Sequence, residues 1–70
     1  MIMHPVISNI ISAIGYDEHS LSLVIVFNDG CAYEYDGVPA IIVNQLLASP
    51  SKGRFYNQFI KGRFNQLRIR

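Results

Sequence analysis

The sequence has a single cysteine, Cys31, among its 70 residues. No disulfide can therefore form within the chain, although domains of this size often depend on disulfides, a metal or a partner subunit. A chain without disulfides is typical of a reducing compartment. We therefore expect one domain, residues 1–70, in the cytoplasm.

Long apolar runs are absent as well. No stretch approaches the roughly 18 apolar residues of a membrane-spanning helix, and residues 1–5 lack the features of a signal peptide. Even so, 50% of the residues are hydrophobic, which is a high share for so short a chain. We expect a second copy to cover part of this surface, so the sequence predicts a homo-oligomer that makes no contact with a membrane.

Each part of the chain lacks one sign of charge. Residues 1–50 contain no Lys or Arg and carry −5, whereas residues 51–70 contain no Asp or Glu and carry +6, which together give the net charge of +1. The basic residues are Lys52, Arg54, Lys61, Arg63, Arg68 and Arg70. A basic segment of this kind is typical of a phosphate-binding surface. A solvated face, or a tail that pairs with the acids of the same chain, explains it equally well.

Catalytic and metal-binding patterns are also missing. Cys31 could act as a nucleophile with His4 or His19 as its base, but its position on a predicted strand favours a small buried side chain. Asp17 and Glu18 next to His19 lie at a predicted turn, and no second group of ligands completes a metal site. We therefore expect no enzymatic activity, no catalytic residues, no metal and no cofactor.

Alternating hydrophobic residues predict three strands. Residues 8–16 form the first, with Ile10, Ile14 and Tyr16 on one face together with Ser12. Residues 20–27 show the strongest alternation, rich in β-branched side chains. At residues 28–30, Asn, Asp and Gly supply the positive φ of a tight hairpin turn. A third strand follows at residues 31–36.

Two helices are predicted after these strands. Pro39 suits the start of a helix over residues 40–48, and Ser51 suits the cap of a second helix over residues 52–61. Residues 64–69 form either a short strand or an arm. The predicted fold is α+β: a three-stranded antiparallel meander followed by two short helices packed on it, in the order β-β-β-α-α with an optional C-terminal strand.

A candidate anion site lies at the start of the second predicted helix. Ser51, Lys52, Gly53 and Arg54 combine free N–H groups with two cations, and Gly53 would let a phosphate approach the backbone. The basic surface would continue through Lys61 and Arg63. Aromatic residues among basic ones suit stacked bases, and the candidates for stacking are Tyr33, Tyr35 and Tyr56.

The chain resembles the KTSC domain, a small module of bacterial and phage proteins that also occurs at the C-terminus of some lysyl-tRNA synthetases. The matching segments, in chain order, are Ser8-Asn9-Ile10, Ile14-Gly15-Tyr16-Asp17, Leu23-x-Val-x-Phe27 with Gly30, Tyr33-x-Tyr35, Gly37-Val38-Pro39, Ala48-x-x-Ser51-Lys52-Gly53-Arg54, Phe55-Tyr56-Asn57 and Ile60-Lys61. The chain departs from the family at Asn9, where a second serine is common, and at Phe64, where a tyrosine is common. The fusion to a tRNA-charging enzyme implies RNA binding by association.

Three hypotheses of function follow. The first is a non-enzymatic nucleic-acid-binding module, with RNA favoured, that uses the basic C-terminal third. The second is a protein-interaction or assembly module of phage or prophage origin that acts on a host protein. The third is a binder of a small phosphorylated ligand, such as a nucleotide signal.

Overall fold

The computed structural model describes all residues, 1–70, as five strands and two helices. The elements are β1 (Met3–Pro5), β2 (Ile11–Asp17), β3 (Ser22–Phe27), β4 (Ala32–Asp36), α1 (Ala40–Ala48), α2 (Lys52–Phe59) and β5 (Asn65–Arg68). All strand pairs are antiparallel, and the sheet order β1-β2-β3-β4-β5 follows the chain. Neither helix is long and apolar enough to cross a membrane.

The α+β class is as predicted, but the three-stranded sheet is wrong. β1 adds a strand that the sequence did not indicate, because its three residues show no alternation and include Pro5. This proline is tolerated because β1 is an edge strand. The segment that could be a strand or an arm forms β5 and pairs with β4 at the opposite edge.

An irregularity in β2 changes which side chains face the helices. The β2–β3 register shifts between Ile11 and Ala13, which leaves Ser12 as the extra residue of a bulge. Ile11 is therefore fully buried, whereas Ile10 is only half-buried. The sequence predicted that Ile10, Ser12, Ile14 and Tyr16 share one face. For this reason that prediction is wrong at the N-terminal end, where Ile11 and not Ile10 is fully buried.

Helix α1 has the predicted bounds and follows Pro39 directly. Its Val43 and Leu46 side chains are buried against the sheet. Helix α2 is shorter than predicted, ending at Phe59, and its cap is Ser51, whose Oγ accepts the Arg54 N–H at 3.4 Å. The chain then turns through Gly62, whose φ of +74° is readily adopted by glycine.

The core lies between the two helices and one face of the sheet. From the sheet it takes Ile11, Ile14, Leu23, Ile25 and Tyr35, and from the helical side Val38, Val43, Leu46, Tyr56 and Ile60. The hydroxyl of Tyr16 donates a 2.6 Å hydrogen bond to the carbonyl of Val38, which ties β2 to the segment before α1. We call this side of the sheet the helix face.

No helix covers the other side of the sheet, which we call the open face. Because side chains alternate along a strand, this face carries Met3, Gly15, Val24, Glu34 and Leu67 in one row across all five strands. A shallow hollow of about 360 Å³ lies beside this row, lined by Met1, Met3, Val24, Val26, Ala32, Ile69 and Arg70. The row and the hollow are thus mainly apolar, with Glu34 and Arg70 as their charged side chains.

Candidate functional site

An aromatic hollow of about 590 Å³ opens on the helix face, where the β3–β4 hairpin meets the end of α2. We call it the aromatic cleft; its rings are those of Phe27, Tyr33, Tyr56 and Phe64. Phe27 meets Tyr33 edge-on at a centroid distance of 6.0 Å and Tyr56 at 5.2 Å. These T-shaped contacts fix the rings without using all of their faces.

Polar side chains surround the rings of the aromatic cleft. Asp29 comes from the hairpin, Asn57 and Lys61 from α2 and its end, and Gln66 from β5. All four residues are exposed to solvent. A flat ligand in the cleft would therefore contact rings along its face and hydrogen-bonding groups along its edge.

A hydrogen-bonded tyrosine pair lies beneath the cleft. The hydroxyls of Tyr35 and Tyr56 are 2.7 Å apart, and Tyr35 is 0% exposed while Tyr56 is 7% exposed. Burial, with a further contribution from the Tyr56 hydroxyl, raises the pKa of Tyr35 far above its ordinary value. Tyr35 is thus neutral, and its hydrogen bond to Tyr56 is structural.

The three tyrosines that were predicted to stack on a base have different surroundings. Tyr35 has no exposed surface, so the prediction that it stacks on a base is wrong. Tyr56 is buried apart from the edge that lines the aromatic cleft. Tyr33 is half-buried and lines the same cleft, so it keeps the most surface of the three.

A second, polar hollow of about 440 Å³ lies at the start of α2. We call it the basic pocket; residues 8–10 and 50–54, together with Asn57 and Gln58, line it. The four residues predicted to bind an anion, Ser51, Lys52, Gly53 and Arg54, all contribute to it. The ammonium of Lys52 donates to the Ser49 carbonyl at 3.2 Å, which holds that side chain beside the helix start.

Gly53 packs closely against the segment before β2. A Cβ placed on Gly53 would lie 3.0 Å from Cγ1 of Ile10, so Ile10 already occupies the space that the missing side chain leaves. The glycine allows α2 to approach the segment before β2. The prediction that Gly53 also lets a phosphate approach the backbone stays a prediction.

The aromatic cleft and the basic pocket touch each other. Ile10 and Asn57 line both of them, so a ring site and a cationic site are neighbours on one surface. The sequence predicted cations and aromatic residues in the same segment, but it did not indicate this arrangement.

The remaining basic residues lie around this surface in different ways. Lys61 lines the aromatic cleft. Arg63 lines neither hollow, and its Nε donates to the Gln58 carbonyl at 3.1 Å. Near the C-terminus, Arg68 donates to Sγ of Cys31 at 3.3 Å and Arg70 donates to the Gly30 carbonyl at 3.2 Å. These two arginines fasten the end of the chain to the β3–β4 hairpin.

Sequence reasoning missed most residues of the aromatic cleft as site residues, among them Phe27, Asp29, Asn57 and Gln66. Phe27 lies on a strongly alternating strand, which indicated only core, and Asp29 was assigned to the turn. The helical spacing of Asn57 and Lys61, four residues apart, was the available signal that these two share a face. Cys31, predicted to be buried, is half-buried and lines the cleft.

Known proteins of similar sequence and structure place the chain in a family. The family model of the KTSC domain matches residues 7–64. A lysine–tRNA ligase from Nostoc punctiforme is 39% identical over 56 residues, which are 80% of this chain but only 10% of the ligase. A protein from Tsukamurella paurometabola is 40% identical over 67 residues, which are 96% of this chain and 100% of that protein.

The fold is similar to that of a known KTSC domain protein. The crystal structure of a KTSC domain protein from Yersinia pestis superposes with a TM-score of 0.96 at 38% identity, covering 99% of this chain and 97% of the other. The two chains therefore share the whole arrangement of sheet and helices. Since the family model also matches most of the sequence, this chain belongs to the KTSC domain family.

Proposed function

We propose that this KTSC domain is a non-enzymatic module that binds single-stranded nucleic acid, with RNA favoured, at the aromatic cleft and the basic pocket. The observation that carries the proposal is the contact between these two hollows through Ile10 and Asn57. Each nucleotide joins a flat base to a phosphate. Rings next to cations are the arrangement by which proteins hold single strands.

The residues have separate roles in this proposal. Lys52, Arg54 and Ser51 hold a phosphate in the basic pocket, and Lys61 and Arg63 contact the backbone on either side of it. A base lies against Tyr33 in the aromatic cleft. Contacts to phosphate give affinity without sequence choice, so binding is expected to be weak and to fall as the salt concentration rises.

The hydrogen bonds of the basic side chains support their availability to a ligand. Those of Lys52, Arg63 and Arg70 go to carbonyl oxygens rather than to carboxylates. A relative that carries a matching domain is named as a lysine–tRNA ligase, and this association is the reason for favouring RNA. The association is an analogy and adds to the geometry without replacing it.

The test is the affinity for a fluorescent single-stranded RNA of mixed sequence, measured by anisotropy over a series of salt concentrations. The double variant Lys52→Gln/Arg54→Gln is expected to bind about tenfold more weakly, with a salt slope lower by about 1.4 because two contacts are lost. The control is Asn44→Asp/Gln45→Glu on α1, where both side chains are exposed.

Both double variants change the net charge from +1 to −1, since each alters it by −2. Equal losses in the two variants would mean that only net charge matters, and unchanged affinity in Lys52→Gln/Arg54→Gln would overturn the proposal. A second readout locates the RNA. Cys31 lines the aromatic cleft, so saturating RNA is expected to slow its alkylation by iodoacetamide.

The same two hollows also suit the third hypothesis, a small phosphorylated ligand. Volumes of about 590 and 440 Å³ lie in the range of small-molecule sites. Competition by mononucleotides separates the two ideas. A polymer site loses affinity steeply when the strand is cut to one nucleotide, whereas a nucleotide receptor binds the monomer as tightly as the oligonucleotide.

The open face favours a second candidate function, an interaction module whose partner is a second copy of the chain. Exposed apolar side chains on this face include Met1 at 60%, Leu67 at 62% and Ile69 at 51%. Together with their neighbours they form an exposed apolar patch, and patches of about 300–600 Å² on monomers are often functional. Each partner in a standard interface buries about 800 Å², of which a little over half is apolar, so the patch suits one side of a dimer.

Sedimentation velocity tests this second candidate. Leu67→Glu is expected to shift a dimer to monomer, whereas Ile41→Glu on α1 is expected to leave it unchanged. The two positions are matched, because Ile41 is 63% exposed. If the wild-type chain is monomeric at all concentrations, the partner is not a second copy of the chain. The partner of the open face would then be a different protein.

A further inference from the structure

Asp29 is held at the rim of the aromatic cleft by the β3–β4 hairpin. Its Oδ1 accepts the Cys31 N–H at 2.9 Å, and Gly30 has a φ of +92°. The hairpin is fixed on both sides, because the Asn28 N–H donates to the Ile10 carbonyl at 2.8 Å and Arg70 donates to the Gly30 carbonyl. The carboxylate therefore has a defined position at the cleft.

A carboxylate is out of place on a surface that binds only phosphate. Lys61 lines the same cleft, and Lys52 and Arg54 line the adjoining pocket. An acid among these cations repels a phosphate and lowers the affinity for the backbone. A carboxylate is, however, an acceptor of N–H groups, and the edges of bases supply such groups.

The cleft offers an acceptor and a donor to one base at the same time. Asp29 can only accept hydrogen bonds, Lys61 can only donate them, and the amide of Asn57 can do both. Among the bases of RNA, guanine has two adjacent N–H donors, at N1 and N2, together with two acceptors, O6 and N7. Adenine and cytosine have a single exocyclic amino group as donor, and uracil has a single ring N–H.

We propose, on the basis of the nucleic-acid-binding function proposed above, that the aromatic cleft selects guanine. Asp29 accepts from N1–H and N2–H of the base, and Lys61, which has three N–H donors, gives one to O6 or N7 in addition to its contact with the backbone. Tyr33 lies against the ring. The second lone pair of Asp29 Oδ1 remains available beside the Cys31 N–H, so the turn and the base use the carboxylate together.

The experiment compares short single-stranded RNA probes that differ in one base. Fluorescein-labelled pentauridine is measured beside the versions with a central guanine, adenine or cytosine, at one fixed salt concentration. The guanine probe is expected to bind about tenfold more tightly than the others, as a bidentate contact to one base allows. Equal affinity for all four probes would overturn guanine selection and leave the proposed function in place, whereas binding of none of them would overturn both.

The variant Asp29→Asn distinguishes recognition of guanine by hydrogen bonds from a general effect of the negative charge on RNA affinity. An asparagine Oδ1 keeps the hydrogen bond from the Cys31 N–H, but its NH₂ group faces the donors of guanine. The preference is expected to disappear, while the affinity for pentauridine stays the same or rises slightly because an acid has been removed.

Asp17→Asn is the matched control, because Asp17 Oδ1 accepts the His19 N–H at 3.0 Å in the same kind of turn, outside both hollows. This variant is expected to keep the tenfold preference for guanine. Loss of the preference in Asp17→Asn as well, or its survival in Asp29→Asn, would contradict the assignment.

Discussion

The two faces of the sheet differ in how much they contribute to the stability of this small domain. The helix face buries a continuous core, including Leu46 and Tyr35 at 0% exposure, and its aromatic residues extend from that core into the proposed site. The open face has only side chains of its own sheet and the N-terminal methionines above it. Stability is therefore concentrated on one face, and the other is free to change or to bind.

The largest difference between the faces is expected for leucine truncation. Leu46→Ala on α1 removes a fully buried side chain and should lower the free energy of unfolding by about 3 kcal/mol, from lost burial and the cavity left behind. Leu67→Ala on the open face should change it by less than about 0.5 kcal/mol in the monomer. Urea denaturation measures both. Similar losses would show that the open face is already covered in solution.

The tyrosine pair is expected to give the next largest effect. Tyr35→Phe leaves the buried Tyr56 hydroxyl without its partner, which should cost about 1–2 kcal/mol. The double variant Tyr35→Phe/Tyr56→Phe should cost no more than the single one, because no polar atom is then left unsatisfied. Chemical denaturation of the four proteins tests this coupling, and strictly additive losses would contradict it.

The same pair predicts a loss of stability in alkali. Tyrosine in the unfolded chain ionises near pH 10, whereas burial raises the pKa of Tyr35 in the folded state. The unfolded state therefore releases its proton first, so stability is complete below pH 10 and falls above it, by at most about 1.4 kcal/mol per pH unit for one group. Comparing urea midpoints at pH 9 and 11 checks this, and the decline should be smaller in Tyr35→Phe.

The elements that the sequence predicted well are those whose signal is local. Helix α1 follows Pro39 and repeats apolar residues at helical spacing, and β3 alternates along its length. β1 was missed because its pairing with β2, not its own residues, makes it a strand. The face of β2 was misjudged because the bulge at Ser12 depends on the register with β3. Such pairings depend on residues far apart in the chain.

The two hollows of the candidate site also differ in how far the sequence indicated them. The cations of the basic pocket come from one segment, residues 50–54, so the sequence indicated them, whereas residues 8–10 on the other side of the pocket were not indicated. The aromatic cleft combines residues from β3, the hairpin, β4, α2 and β5. Tyr35 and Tyr33 are equivalent as sequence, two residues apart on one strand. Only packing against Tyr56 buries the first and leaves the second at the surface.

The smallest predicted effect compares one glycine from each face. Gly15→Ala on the open face would bring a methyl group against the sulfur of Met3, a flexible and 37% exposed side chain. Met3 can move aside, so we expect a change within about 0.5 kcal/mol. Gly53→Ala meets Ile10 at 3.0 Å, and this β-branched side chain is held against the core. We expect a loss of about 1 kcal/mol, even though alanine is the better helix former.

A double-mutant cycle identifies the cause of the second loss. In the background of Ile10→Ala, the atoms that a methyl group on residue 53 would meet are gone, so Gly53→Ala should become neutral or stabilising. Thermal unfolding of the four proteins measures this. If Gly53→Ala costs the same in both backgrounds, the close approach of α2 to Ile10 is not what requires the glycine. Admitting a ligand to the basic pocket is then the alternative role for Gly53. RNA affinity measured on the same variants then decides that role.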